Sequence, residues 1–182
     1  MEQLGNYARV LVWSGFRPLE DVRADVLEAV RDEVKEEDEA VRLTDEYVTA
    51  ATESLHQAAG KWPDPTDYDR LQAALTELED AGVMVLQACD DHWSAAELLQ
   101  TTAAAGVRPR GIAYFTHTDV WHAVDHGMLE INVWHGDSAN VAPGDELLDF
   151  VQETLARNGI DSAFDEGRVE ATVSWQRRPV TA

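Results

Sequence analysis

Three of the six histidines share a short polar segment with two aspartates. The segment contains His117, Asp119, His122, Asp125 and His126. In a helix, His122 and His126 would lie four residues apart on one face, where two imidazole nitrogens can bind one divalent metal ion. Asp119 or His117 could supply a third ligand. The candidate metal site is therefore His117, Asp119, His122 and His126, with zinc as the candidate ion.

The same segment also fits a partly exposed polar turn that binds nothing. It lacks the H-E-x-x-H motif, and so the glutamate that serves as general base in that class of zinc enzymes. The position of His135 relative to the turn cannot be read from the sequence. The sequence favours the polar turn, so we expect no cofactor and keep zinc as the alternative.

A second group of reactive side chains, Cys89-Asp90-Asp91-His92, follows an apolar run that is typical of a buried strand. A cysteine with a nearby histidine is the minimum for nucleophilic catalysis. Neighbouring residues on a strand seldom point at one another, however, and neighbouring carboxylates raise a thiol pKa. We therefore interpret Cys89 as a buried thiol at a strand end. Since the chain also lacks phosphate-binding, nucleophile-elbow and calcium-loop motifs, we expect a binding protein rather than an enzyme.

The first 60 residues are predicted to be helical, with an amphipathic helix over residues 18–34 and a second helix over residues 44–59. Thr44, followed by two acids, resembles the N-cap of that second helix. The proline-containing stretch 60–65 is the best candidate linker. The predicted domains are thus a helical N-terminal extension (1–60) and an α+β domain (61–182).

From residue 66 the predicted order is helix, strand, helix, strand, strand, helix, strand, strand. Thr66 could cap the first of these helices, and Ser94 with Glu97 resembles a capping box for the next. A short helical turn is predicted near residues 119–126, between strands 111–116 and 128–134. This order is typical of a mainly antiparallel sheet of about five strands with helices packed on one face, an α+β fold.

The charge is strongly acidic, with 35 acids, 14 bases and a formal net charge of −21. Acids exceed bases in both predicted domains, so the acidity is not confined to a tail. Such a surface repels phosphate backbones and favours a basic partner. We therefore expect a basic protein partner and no direct nucleic acid, with inhibition or mimicry of nucleic acid as a variant. A surface that serves only solubility remains open.

A single cysteine excludes an internal disulfide, and no run of apolar residues is long enough to span a membrane. The first residues show no leader pattern, so we expect a cytoplasmic protein without membrane contact. The six tryptophans fall in different predicted elements and are interpreted as core or core-edge residues. The oligomeric state is left open.

Four segments of the chain form a recognisable set: Trp62 to Leu71, Leu78 to Gly82, Tyr114 to Asp119 with Ala123-Val124, and Ser174 to Arg178. Over about residues 20–178 they resemble an uncharacterised bacterial domain-of-unknown-function family. Its members show W-P-x-x-T-D-x-D-R-L, F-Y-H-x-Q-D and W-x-R-R segments.

The resemblance implies a fold and no activity. Members often carry a cysteine cluster after the first strand, where this chain has Cys89 alone. The order of elements and the acidity are also loosely similar, at the level of fold, to the regulator of ribonuclease activity B, which binds and inhibits an enzyme. Three functions therefore remain in view: an acidic interaction or regulatory protein, a metal-binding domain or metal-dependent hydrolase, and a structural component of a larger assembly.

Overall fold

The computed structural model describes residues 2–179. Within this range there are seven helices and five strands. In chain order they are α1 (Glu2–Ser14), α2 (Leu19–Glu33), α3 (Glu37–Ala59), α4 (Asp67–Asp80), β1 (Val83–Cys89), α5 (His92–Ala104), β2 (Gly111–Thr116), α6 (His117–His126), β3 (Met128–His135), α7 (Glu146–Arg157), β4 (Ser162–Asp165) and β5 (Arg168–Thr172). The predicted α+β class and the helical N-terminal region are confirmed.

The described residues group into two compact units. One unit comprises residues 2–66 and 175–179, and the other comprises residues 67–174. Residues 175–179 therefore group with the N-terminal helices, whereas the sequence assigned them to the α+β domain. The division into an N-terminal extension (1–60) and an α+β domain (61–182) stays a prediction.

Three helices form the first unit, where α1 and α2 both pack on α3. The apolar stripe predicted for α2 is buried at Val22, Val26 and Val30, while Leu19 at its start is exposed. The start predicted for α3 was wrong, because the helix begins at Glu37 and Thr44 lies inside it. Three acids in the first turn of α3 suit the positive end of the helix dipole, and the Thr44 hydroxyl donates to the Ala40 carbonyl at 2.8 Å.

The second unit is built on a five-stranded sheet in the order β1-β2-β3-β5-β4. Only β1 and β2 are parallel neighbours, and the other three pairs are antiparallel. The mainly antiparallel sheet of five strands is therefore confirmed. The parallel pair requires a crossover connection, which α5 supplies.

The two faces of this sheet carry different helices. A Cβ atom added at Gly111 would lie 2.5 Å from the Leu147 side chain of α7. Ile112, the next residue, packs instead in a cluster with Ala95 and Leu99 of α5. Because successive strand residues point to opposite faces, α5 and α7 cover opposite faces of the sheet. The helices thus occupy two layers where the sequence predicted one.

The starts of α5 and α6 differ from their predicted starts. Asp91 is the N-cap of α5, and its carboxylate accepts a hydrogen bond from the Ser94 amide at 3.1 Å, so the Ser94 capping box was wrong. The predicted turn at residues 119–126 is a ten-residue helix, α6. It begins with a capping box in which Thr116 and Asp119 bond reciprocally. In the described part of the chain, no helix combines the length and the apolar character needed to cross a membrane.

Candidate functional site

A cleft of about 400 Å³ opens on the sheet face that carries α5, close to the first turn of that helix. Six elements or connections contribute to it: the turn after β1, the start of α5, the end of β2, the start of α6, and strands β3 and β5. Its lining residues are Asp90, Asp91, His92, Tyr114, Thr116, Thr118, Asp119, Glu130, Asn132 and Arg168.

The register of the strands determines which side chains form the floor of the cleft. Tyr114 of β2 is opposite Asn132 of β3, and Asn132 is in turn opposite Arg168 of β5. Residues directly opposite on paired strands share one face, so the three side chains form a row across the sheet. Glu130 lies two residues before Asn132 on the same face and accepts a hydrogen bond from Arg168 Nη1 at 2.6 Å. The floor is therefore polar and carries one ion pair.

Tyr114 is the most buried polar side chain of the cleft, with only 2% of its surface exposed. Its ring packs edge-on against Trp134, with the ring centroids 4.8 Å apart. Burial, reinforced by the neighbouring Cys89 and Asp119, raises the pKa of Tyr114 to about 12. The phenol therefore stays protonated at neutral pH and can both donate and accept a hydrogen bond.

The Tyr114 hydroxyl makes no hydrogen bond to any of residues 2–179. Over the same residues, no fully enclosed side-chain nitrogen or oxygen lacks a hydrogen-bond partner. The hydroxyl oxygen is therefore reached from the cleft that the residue lines, rather than sealed in the core. A group with these properties is available to a ligand.

Three further carboxylates line the cleft. Asp91 is the N-cap of α5, and Asp119 is the capping-box partner of Thr116 at the start of α6, so both groups are held in place by a helix start. Asp90 is different, because 93% of its side chain is exposed and its carboxylate lies 3.9 Å from His117 Nε2. With Glu130 included, four carboxylates face one guanidinium, so the cleft is acidic.

The four residues of the predicted metal site are only partly brought together. The rings of His122 and His126 lie beside each other on α6, with centroids 4.8 Å apart. The Asp119 carboxylate is turned to Thr116, from whose amide and hydroxyl it accepts hydrogen bonds of 2.7 and 2.8 Å. His117 lies near Asp90. In residues 2–179, no group of three or more His, Cys, Asp or Glu side chains is placed to hold one metal ion.

Cys89 is buried at the end of β1, as predicted. Its thiol lies within hydrogen-bond range of the Asp91 and Phe115 carbonyl oxygens, at 3.4 and 3.5 Å. Burial raises the pKa of this thiol, and the nearby carboxylates, Asp119 first among them, add to the effect. The ring of His92 packs on Trp93, with centroids 4.6 Å apart. This environment disfavours the thiolate that a catalytic cysteine needs.

Sequence reasoning missed Tyr114, Glu130, Asn132 and Arg168 as site residues. One signal was present: Glu130 and Asn132 alternate with buried apolar residues along β3, which indicates a face that no helix covers. The core interpretation of the tryptophans also fails at Trp93, which is 68% exposed.

Fold and cleft together define a class of molecule, an acidic α+β protein with a polar cleft on a partly covered sheet. The chain belongs to the family DUF6891, a domain of unknown function, whose model matches residues 1–179. The predicted membership of an uncharacterised domain family is thereby confirmed. No curated protein and no solved structure matches the chain. The likeness to the regulator of ribonuclease activity B stays a prediction.

Proposed function

We propose that the protein binds a basic surface of a partner protein and acts through that binding, as an interaction or regulatory protein. The observation that carries this proposal is the use of arginines within the helical unit. Four arginines of residues 17–42 pair with carboxylates of the same unit. The pairs are Arg17 with Asp25, Arg23 with Asp45, Arg31 with Glu37, and Arg42 with both Glu39 and Glu46.

Because these cations are occupied, the excess of acids in the unit is left at its surface. It is greatest in residues 32–38, here called the acidic turn, where Asp32, Glu33, Glu36 and Asp38 are all exposed. The one lysine of this turn, Lys35, donates to the carbonyl oxygens of Arg31 and Asp32 rather than to a carboxylate. The acidic turn therefore presents concentrated negative charge to a partner.

Such a field speeds the encounter with a basic surface and selects against acidic partners and phosphate backbones. Since exposed charges are screened over about 10 Å at 0.1 M salt, the association should weaken as salt rises. Occupation of another protein's nucleic-acid site is a variant of the same proposal, with the carboxylates in place of phosphates.

The test measures binding of short basic peptides at low and high salt, each beside a matched peptide in which glutamine replaces every basic residue. A variant that neutralises the acidic turn (Asp32→Asn, Glu33→Gln, Glu36→Gln and Asp38→Asn) is compared with one that neutralises exposed acids of α7 (Asp149→Asn, Glu153→Gln). We expect saturable, salt-sensitive binding of the basic peptides only, and a larger loss in the first variant. Absence of saturable binding at low salt, or binding indifferent to salt, would contradict the proposal.

One observation favours a second candidate, a metal-binding domain. His122 and His126 lie side by side on α6 and would supply two imidazole ligands to zinc. The test is a zinc titration that follows the melting temperature of the wild type and of His122→Ala, with His56→Ala as the control histidine on α3. Stoichiometric zinc with a stabilisation lost only in His122→Ala is the expected result. An equal response in all three proteins would eliminate this candidate.

A further inference from the structure

We propose that the cleft receives an arginine side chain of the basic partner. This inference rests on the proposed function and deepens it, because it adds a second recognition surface to the acidic turn and names the residue type that is recognised there. Charge alone does not carry it, since acidic residues cover much of the protein. Three further features do: a tyrosine whose ring is buried and whose hydroxyl is reached from the cleft, an arginine that is already paired, and an exposed tryptophan next to a lining residue.

The phenol of Tyr114 is the first feature. Its ring is buried while its hydroxyl lacks a hydrogen bond to any of residues 2–179 and is reached from the cleft. Because the hydroxyl is open to the cleft, it can exchange a water molecule for a hydrogen bond to a ligand, and such an exchange contributes modestly to binding. The phenol oxygen accepts a hydrogen bond, and a guanidinium carries five N–H donors. Tyr114 and an arginine are therefore complementary.

The charges of the cleft favour a cation over an anion. The single guanidinium, Arg168, is engaged by Glu130 at 2.6 Å, so the floor is close to neutral. Three further carboxylates line the cleft: Asp91 and Asp119 already accept hydrogen bonds at helix starts, whereas Asp90 is almost fully exposed. Carboxylates bind a guanidinium in a planar, two-point geometry that an ammonium cannot reproduce. A cleft volume of about 400 Å³ is within the range of ligand sites and admits such a side chain.

Trp93 is the third feature. It follows His92, a lining residue, and its ring packs on the His92 ring while most of its surface faces solvent. Trp93 is 68% exposed, and tryptophan is enriched among the residues that dominate binding energy. Arginine stacks on aromatic faces more readily than lysine does. Trp93, packed on the lining residue His92, thus offers a platform for the side chain or the backbone of the bound residue.

The experiment is an NMR titration of the full chain with a short acetylated and amidated peptide that carries one arginine. Matched peptides carry citrulline, lysine or glutamate at the same position. Citrulline keeps the shape and loses the charge, so it isolates the electrostatic contribution. We expect the arginine peptide to shift amide signals of residues around the cleft. The citrulline peptide should bind with at least about tenfold lower affinity, since hydrogen bonds to charged groups contribute about 1.5–3 kcal/mol.

Three variants test the residues: Tyr114→Phe, Trp93→Ala and Asp90→Asn. Glu153→Gln is the control, because this acid is also exposed but lines a separate depression beside α7. Tyr114→Phe removes one hydroxyl oxygen and should lower the affinity for the arginine peptide by about two- to tenfold, because one hydrogen bond is lost. Glu153→Gln should leave the affinity unchanged.

Equal binding of the citrulline or glutamate peptide, or an equal loss in Glu153→Gln, would overturn the inference. Lysine binding as tight as arginine binding would overturn the choice of arginine. If basic peptides bind with salt sensitivity but the three cleft variants behave as wild type, the cleft inference fails while the proposed function stands. If no basic peptide binds at low salt, the proposed function itself fails.

Discussion

The sheet face that carries α5 has an apolar half and a polar half. Under α5, the half formed by β1 and β2 is apolar, and Ile112 packs there with Ala95 and Leu99. Beyond α5, the half formed by β3 and β5 carries the Glu130–Arg168 ion pair and Asn132. The strands are neighbours in one sheet, so backbone pairing does not explain the difference. A covering helix makes one half a core and leaves the other half a polar surface.

Tyr114 belongs to both halves. Its ring is part of the apolar cluster under α5, and its hydroxyl lines the polar cleft beside Asn132. A tyrosine suits such a boundary because it combines a large apolar ring with one polar atom. The candidate site therefore lies where the cover of the sheet ends.

The largest difference between the halves should be in stability. Leu99→Ala in α5 should lower the free energy of unfolding by about 2–5 kcal/mol, because it leaves a cavity against β2. Asn132→Ala in the open half should change it by no more than about 0.5 kcal/mol. Urea denaturation of both variants measures the contrast. Similar losses of unfolding free energy in the two variants would mean that Asn132 packs in a core instead of lying on an open polar surface.

A second variant tests the opposite face of the sheet, where α7 lies. Gly111→Ala would place a Cβ atom too close to the Trp134 carbonyl oxygen and 2.5 Å from Leu147 Cδ2. Overpacking of this kind costs about 1–3 kcal/mol, so the melting temperature should fall. Gly5→Ala is the control, because its nearest atom is 3.6 Å away and alanine favours the helix. A stable Gly111→Ala protein would contradict the packing of α7 on this face.

The reactivity of Cys89 tests the covered half at the end of β1. Because its pKa is raised, the thiolate fraction at neutral pH should be below that of an ordinary cysteine. Alkylation by iodoacetamide should therefore be slow in the folded protein and should accelerate as pH rises above the usual cysteine range. The urea-unfolded chain is the control. Rapid alkylation of folded protein at neutral pH would revive the catalytic interpretation of this thiol.

The smallest expected effect is that of Tyr114→Phe on stability. No hydrogen bond to residues 2–179 is lost, so the free energy of unfolding should change by less than about 0.5 kcal/mol. Thr154→Val is the contrast, because the buried Thr154 hydroxyl donates to the Phe150 carbonyl at 2.8 Å. Loss of this hydrogen bond should lower the free energy of unfolding by about 1 kcal/mol. A loss as large for Tyr114→Phe would show that the phenol is already bonded within the fold.

Local patterns predicted much of the fold. The predicted strand 111–116 corresponds to β2, and β5 lies where a last strand was predicted, with buried Val169 and Ala171 alternating with polar residues. Helix starts were harder, because several residues compete to cap one helix. No helix was predicted over residues 35–43, yet Glu37 and Glu39 lie in the first turn of α3 and are paired with Arg31 and Arg42.

The cleft could not be predicted in the same way. Its floor joins Tyr114, Asn132 and Arg168, which lie on three strands and meet only through strand register. The sequence does not show how much of the sheet face α5 covers. The helical part of the histidine segment was located correctly, but the Asp119 carboxylate accepts a hydrogen bond from the Thr116 backbone in the capping box of α6, and the residue type alone does not distinguish this role from metal binding.

The most direct test of the central claim observes the Tyr114 ring during binding. The chain has four tyrosines, so a protein labelled with ¹³C in its tyrosine rings gives few signals, and three of them serve as internal controls. On titration with the arginine peptide, we expect the Tyr114 ring signal, assigned by its loss in Tyr114→Phe, to shift and saturate while the others stay in place. Saturation with an unmoved Tyr114 signal would place the basic partner elsewhere and contradict the account.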